Sequence, residues 1–391
     1  MNKTFLTQEI GSIQRPIWRQ KLNAPSNENW IKDALEWGKK FDVNERFELA
    51  NEKKTGLLQK NGEKRTQEEK QRIIDISSIY VIRMLEKAGL DRVFNGEQPR
   101  TEMYDAFASK TKGIKTAGFV NSFDANYFRK GIITKKVEIS DEGIDWFKKE
   151  FEFARNHSQK IIKPCLTGPY TMTDWSYVEY YAELQEKKAS GNPVKEARRN
   201  AVLDFASDVI NPIVKEYVKA GAEVIQIDEP AASTKQHEAD LVVEGINASF
   251  KGVPRNVEKA VHLCYSNYSS LFPELAESSA DSYLIECTNH STGKEFNPNQ
   301  IHEEALKIIE LFKEYKMNAS IGAGLIDIHS DLIESPEIIR DRILFINKLM
   351  DDPKKVQVNP DCGLRTRKWE IAFPKLENMV KGAELARKAL E

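Results

Sequence analysis

Two stretches of this chain read alike. VIRMLEKAGLDRVFNGE (81–97) and VKEYVKAGAEVIQIDEP (214–230) each run from a helical pattern through a glycine, Gly89 or Gly221, into a short apolar strand. The glycine suits the left-handed residue that closes a helix. Further apolar runs bring the expected strands to eight, near 5–10, 92–95, 161–166, 223–228, 261–264, 282–287, 319–322 and 356–359. Most are separated by helical stretches. Eight strands alternating with helices predict an α/β fold, a (β/α)8 TIM barrel.

No low-complexity linker interrupts the 391 residues, so the chain reads as a single domain over 1–391. Three segments read as additions to the barrel. Residues 44–75 are helical in pattern and densely charged, which predicts a solvated helical excursion. Residues 113–139 carry strand-type patterning (GIKTAGFV, GIITKKVEI) and predict a hairpin after the second strand. Residues 288–317 open on the polar loop TNHSTGKEFNPNQ.

Composition excludes several classes. The net charge is only −2, so bulk charge favours neither nucleic acid nor an anionic membrane. There is no run of 18 apolar residues, so no membrane span is expected, and the N-terminus lacks the apolar stretch of a signal peptide. The four cysteines, Cys165, Cys264, Cys287 and Cys362, lie far apart. They make no disulfide framework, and a cytoplasmic location with free thiols is expected.

In a parallel barrel the chemistry lies where strands end and loops begin. Those positions hold Ser12, Glu97, Thr167, Asp228, His262, Cys264, Glu286, His329 and Cys362. In VHLCYSNY, His262 and Cys264 stand two apart, and on a strand such residues point to one side. They can grip one object, and zinc accepts both ligand types. Cys362, in the turn of VNPDCGLRTR, offers a third ligand, and Glu286, in SYLIEC, a fourth. Glu286 also fits a supporting base or an ion-pair partner. Cys165 and Cys287 read as buried core thiols, and either Asp228 or Glu229 fits a helix cap.

The motifs QEIGS, NGEQPRTEMYDAF, LTGPYTMTDWS, IQIDEPA, HLCYSNY, LIEC, IGAGLIDIHS and VNPDCGLRTR occur in this order. Their set resembles the C-terminal catalytic barrel of the cobalamin-independent methionine synthase family. The resemblance covers residues 8 to 370, and it points to the short form without the second, N-terminal barrel of the full-length enzymes. It implies a methyltransferase that makes methionine from homocysteine. It implies Zn2+ held by His262, Cys264, Glu286 and Cys362. The amino acid would be held by Ile10, Gly11 and Ser12, with Glu97 and Asp228 at its ammonium. His329 would be the proton donor, and Trp175 would lie beside the methyl donor's ring.

Several folate-side positions depart from the family. Asn126 and Tyr127 stand where the family has an arginine–cysteine pair, Arg129 is displaced, and Thr234 replaces an acid. The expected donor is therefore a methylcorrinoid such as methylcobalamin, free or on a corrinoid protein, or else a methylated pterin. Two competing readings remain. One is a corrinoid-dependent alkyltransferase acting on another thiol such as coenzyme M. The other is a non-catalytic barrel stabilised by zinc.

Overall fold

The computed structural model describes residues 3–121, 127–186, 192–264, 267–288, 297 and 301–391, with backbone alone at 120, 121, 127 and 128. Asn126 and most of the 288–300 loop lie outside these residues.

Local chemistry sets the first long helix, Gln67–Ala88. Thr66 and Glu69 form a reciprocal capping box at its start, and Gly89, at φ 93°, closes it in the left-handed conformation. Gly221 adopts φ 90° at the matching junction. Both glycines therefore turn a helix into a strand, as their placement predicts.

The strands, in chain order, are β1 (Arg92–Val93), β2 (Thr111–Asn121), β3 (Tyr127–Ile139), β4 (Ile161–Ile162), β5 (Cys165–Thr167), β6 (Ser176–Tyr177), β7 (Val224–Asp228), β8 (Glu258–Leu263), β9 (Ser282–Glu286), β10 (Ser320–Gly324) and β11 (Val356–Asn359). β5, β7, β8, β9, β10 and β11 lie side by side, all parallel. β1 pairs with β4, also in parallel. Lys163 and Pro164 separate β4 from β5, because proline has no N–H to give a ladder. Pairing survives the break: Lys163 N–H reaches the Val93 carbonyl at 3.0 Å, and Gln226 N–H reaches that of Pro164 at 2.9 Å. The ring closes through the N-terminal segment, where Thr7 bridges Val358 and Gln8 bridges Arg92, both in parallel. The result is the eight-membered parallel barrel expected. Its first stave, expected as a strand over 5–10, consists of these bridges.

The main apolar core lies between sheet and helices, while Ile10, Val224, Ala260 and Leu284 form a small cluster of their own. Away from the mouth, Glu258 accepts hydrogen bonds from Arg92 (3.1 Å), Ser282 (2.7 Å) and Gln357 (2.9 Å). This half-buried network cross-links staves that are distant in sequence.

Two additions flank the barrel. Short helices at Arg46–Leu49 and Gly62–Lys64 precede Gln67, after which the chain is already in the long helix. Arg65 organises this region by donating to the carbonyls of Leu57, Leu22 and Lys60 at 2.8, 2.8 and 2.9 Å. β2 and β3 pair antiparallel, and β3 also pairs with β6 at Gly131. A side chain at Gly131 would strike the Tyr104 hydroxyl, which itself bonds Ser176 at 2.8 Å. The hairpin is thereby docked beside the loop that carries Trp175. Among the described residues no helix is long and apolar enough to cross a membrane.

Candidate active site

His262 lies near the end of β8 and Cys264 just beyond it. His262 Nδ1 is 3.0 Å from the Leu284 carbonyl. A carbonyl only accepts, so Nδ1 carries a proton and Nε2 faces the barrel mouth. Nε2 lies 3.5 Å from Cys362 Sγ, and one ligand atom from each of His262, Cys264 and Cys362 lies within 4.8 Å of the others. One imidazole nitrogen and two sulfurs, from β8 and the loop after β11, form a soft donor set suited to a metal ion.

The loop that carries Cys362 is held by its neighbour. Asp361 is buried and accepts from the N–H groups of Cys287 (3.0 Å) and Thr288 (3.1 Å). It thereby pins the β11 loop to the end of β9. The Cys264 thiol beside Cys362, and His262 after it, hold the Cys362 thiol well below its ordinary range. Cys264 is pushed up by the same contact and by burial. Burial would lower His262, but the Cys362 partner and Asp228 hold it above its usual value.

Glu286 ends β9, next to β8 in the sheet. Its N–H donates to the Tyr268 hydroxyl at 2.9 Å. Its carboxylate is outside the group of three ligand atoms, yet its charge raises both Cys264 and Asp361.

A second group adjoins the first. Glu97, Cys165 and Asp228 also place one polar atom each within 4.8 Å of one another, and all three are buried. Cys165 Sγ donates to Glu97 Oε1 at 3.2 Å, and Arg100 reaches the same oxygen at 3.4 Å while pairing with Glu150 at 2.9 Å. Glu97 stands at φ 56°, a conformation that ordinary residues rarely adopt. Asp228 lies opposite His262 in the register of β7 and β8, so the two groups share a border. Burial, with Glu97 nearby, pushes Asp228 up to about 6, against the pull of His262 and Gln226. Glu229 has a different role. It accepts from Tyr170 N–H (2.9 Å) and Thr171 N–H (2.8 Å) and caps the helix Pro169–Asp174.

Ile10, Gly11 and Ser12 run along this rim. A side chain at Gly11 would sit 3.1 Å from Cys165 Sγ and 3.4 Å from Glu97 Oε1. One at Gly363 would strike Ser12 Oγ. The N-terminal segment is thus packed between the acidic group and the Cys362 loop. His329 lies in the loop after β10, where its N–H donates to Asp327 Oδ1 at 2.7 Å. Trp175 follows the helix Pro169–Asp174, is 8% exposed, and offers its carbonyl to Gly131 N–H at 3.4 Å.

Four buried polar residues of this region, Glu9, Lys163, Gln226 and Asp361, go unnoticed in a reading of strand ends. The available signals are a lysine inside the apolar run IIKPC and the two-residue spacing of Gln226 and Asp228 in IQID. Cys287 is buried, as read from sequence. Cys165 is buried too, but it touches Glu97 rather than only apolar neighbours.

The catalytic-domain profile of the cobalamin-independent synthases matches residues 50–385. The chain belongs to this family. A methionine synthase of Thermoplasma volcanium is 35% identical over 317 residues, covering 78% of this chain and 86% of that protein. One from Sulfurisphaera tokodaii is 36% identical over 328 residues, covering 83% and 85%. Among solved structures, the B12-independent methionine synthase of Shewanella sp. W3-18-1, in complex with selenomethionine, superposes with a TM-score of 0.71 at 22% identity, covering 99% of both chains. A putative vitamin-B12 independent methionine synthase of Listeria monocytogenes gives 0.62 at 17% identity, covering 97% of both. The structural likenesses show the same barrel, and the sequence relatives show a methyltransferase of the methionine synthase type.

Proposed function

We propose that this barrel transfers a methyl group to the thiol of homocysteine, forming methionine, with Zn2+ held by His262, Cys264, Glu286 and Cys362. The observation that carries the reading is the shared border of the two groups. A soft metal-binding set stands next to a buried pair of carboxylates, which suits a substrate with a thiol at one end and an ammonium at the other. When bound, zinc supplies the positive charge that lowers a thiol's pKa and makes it a nucleophile at neutral pH.

The chain's own residues do the rest. Glu97 and Asp228 bind the ammonium through charge-assisted hydrogen bonds. Ile10, Gly11 and Ser12 take the substrate carboxylate, and the missing side chain of Gly11 leaves room beside Glu97. With a methylated pterin as donor, His329 would supply the proton to the departing ring nitrogen, a step a methylcorrinoid does not need because its cobalt leaves as Co(I); the Asp327 contact sets the His329 backbone. Trp175 lines the donor side. The donor in this reading is a methylcorrinoid, with a methylated pterin as the second choice. A corrinoid presented on a carrier is a substrate here, not a resident cofactor.

Transfer to a thiol without an amino group, such as coenzyme M, fits less well, because the two buried carboxylates at the mouth would then meet no substrate ammonium. Membership of a methyltransferase family stands against a purely structural zinc. The test is methyl transfer by the zinc-loaded protein to homocysteine and to mercaptoethanesulfonate. Homocysteine is expected to be strongly preferred, since a buried ammonium's charge partner contributes about 2–5 kcal/mol. Equal turnover of the two thiols would overturn the proposal.

A further inference from the structure

We infer that Lys163 and Gln226 are positioning residues that fix the Asp228 carboxylate for the substrate's amino group, a reading that rests on the function proposed above. Lys163 is fully buried in the gap between β4 and β5. Its ammonium donates to Gln226 Oε1. An ammonium only donates, so it decides which way the Gln226 amide faces. The amide nitrogen must then point away from Lys163. Nε2 lies 2.6 Å from Asp228 Oδ1 and 2.5 Å from the Ile10 carbonyl. Both donors of one amide are thus used, one on each half of the amino-acid site. The carboxylate that meets the ammonium and the segment that meets the substrate carboxylate are held by the same group.

Strand geometry makes this arrangement possible. Gln226 and Asp228 stand two apart on β7 and share one face. Gln226 is in register with Cys165 of β5, and Asp228 with His262 of β8. The relay therefore runs from the barrel interior to the border of the two groups at the mouth. With Oδ1 occupied by Gln226, Oδ2 is the oxygen left for the substrate. Burial lowers Lys163, while Glu9, Cys165 and Asp228 around it favour its protonated form. Without that charge the acids would be harder to keep together.

A rigid carboxylate matters only to a thiol that carries an ammonium. The experiment compares homocysteine with 4-sulfanylbutanoate, the same molecule without its amino group. The measured quantity is the ratio of their kcat/KM values, in wild type, Lys163→Met and Gln226→Met. Zinc content and circular dichroism report whether each variant is folded. Each variant is expected to lower the preference for homocysteine at least tenfold, through KM for homocysteine; 4-sulfanylbutanoate, which keeps the carboxylate but not the ammonium, should lose less. If Lys163→Met does not fold, the double variant Lys163→Met/Glu9→Gln, which also turns the neighbouring buried acid into a neutral amide, carries the same measurement. An unchanged preference in a folded variant would overturn the inference. A wild-type enzyme that does not prefer homocysteine would instead bring down the substrate assignment itself.

Discussion

Cys362 joins the strongest donor set to the rest of the mouth. Its sulfur faces His262 at 3.5 Å, and its loop is tied to β9 by Asp361. Removing it leaves one imidazole and one sulfur of the three clustered donors. Cys362→Ser is expected to lose stoichiometric zinc on dialysis against a chelator, measured by metal analysis; full retention would refute its part in the site. His262 and Cys264 are readable in the sequence because the two-residue period of a strand puts them on one side. Glu9 is not readable in that way. It is buried, with neither carboxylate oxygen hydrogen-bonded, and burial raises it from 4.5 to about 8 despite Lys163. Because its folded pKa lies above the unfolded one, the folded state holds the proton more tightly between those values. Stability is therefore lost as pH rises from 4.5 to 8, by roughly 1.4 kcal/mol per pH unit. Glu9→Gln has no proton to lose. It is expected to match wild type in urea denaturation near pH 5 and to exceed it by several kcal/mol above pH 8. Equal curves at both values would contradict this.

Loops matter more than strands at the scale of elements, since the loops carry the chemistry and the strands hold them. The loop with His329 is anchored from below. Lys375, on the helix Trp369–Lys388, is fully buried and donates to Glu334 Oε2 at 2.8 Å and the Asp327 carbonyl at 2.9 Å. Glu334 Oε1 takes the Asp327 N–H at 2.8 Å, and Asp327 Oδ1 takes that of His329. A C-terminal helix thus clamps the loop of the expected proton donor. Losing one partner of a buried pair leaves the other charge without compensation. Lys375→Met is expected to cost about 3–5 kcal/mol in urea denaturation and, with a methylated pterin as donor, to lower kcat more than it raises KM. A loss under about 1 kcal/mol would show that the clamp carries no weight. Nothing in the sequence marks this pair, because Lys375 sits within an ordinary helical pattern and Glu334 in the loop before the helix Pro336–Met350, and the two meet only through tertiary packing. The hairpin, by contrast, shows in its alternating pattern, and β2 and β3 occupy almost the range expected.

For the molecule as a whole, the barrel is legible because most of its staves are short apolar runs alternating with helical stretches, two of them marked by the glycines at 89 and 221. The first stave is the weak point. Its run was apolar enough to read as a strand, but only Thr7 and Gln8 bridge their neighbours, and the following residues turn into the site. The same contrast supports the proposed methyl donor. The proposed amino-acid side of the mouth holds two acids, a fixed amide and a close-packed glycine. On the proposed donor side, the described side chains that depart from the family are already paired. Thr234 spends its hydroxyl on the Ala231 carbonyl at 2.9 Å and Asp174 at 3.3 Å, and Asp174 itself pairs with Arg198 at 3.0 Å. Arg129 faces Asp105 at 3.3 Å and the Phe119 ring. A polyanionic folate tail would have to displace these pairs, and each charge-assisted hydrogen bond it lacks costs roughly 1.5–3 kcal/mol. A methylcorrinoid needs only an open approach to the thiol. Methionine formation is therefore expected to be faster from methylcobalamin than from methyltetrahydrofolate triglutamate at equal concentration. Arg129→Ala should leave the corrinoid rate within about twofold, since that side chain lies outside both groups of the mouth. Faster turnover with the folate would show that this single barrel grips the usual donor without those anchors.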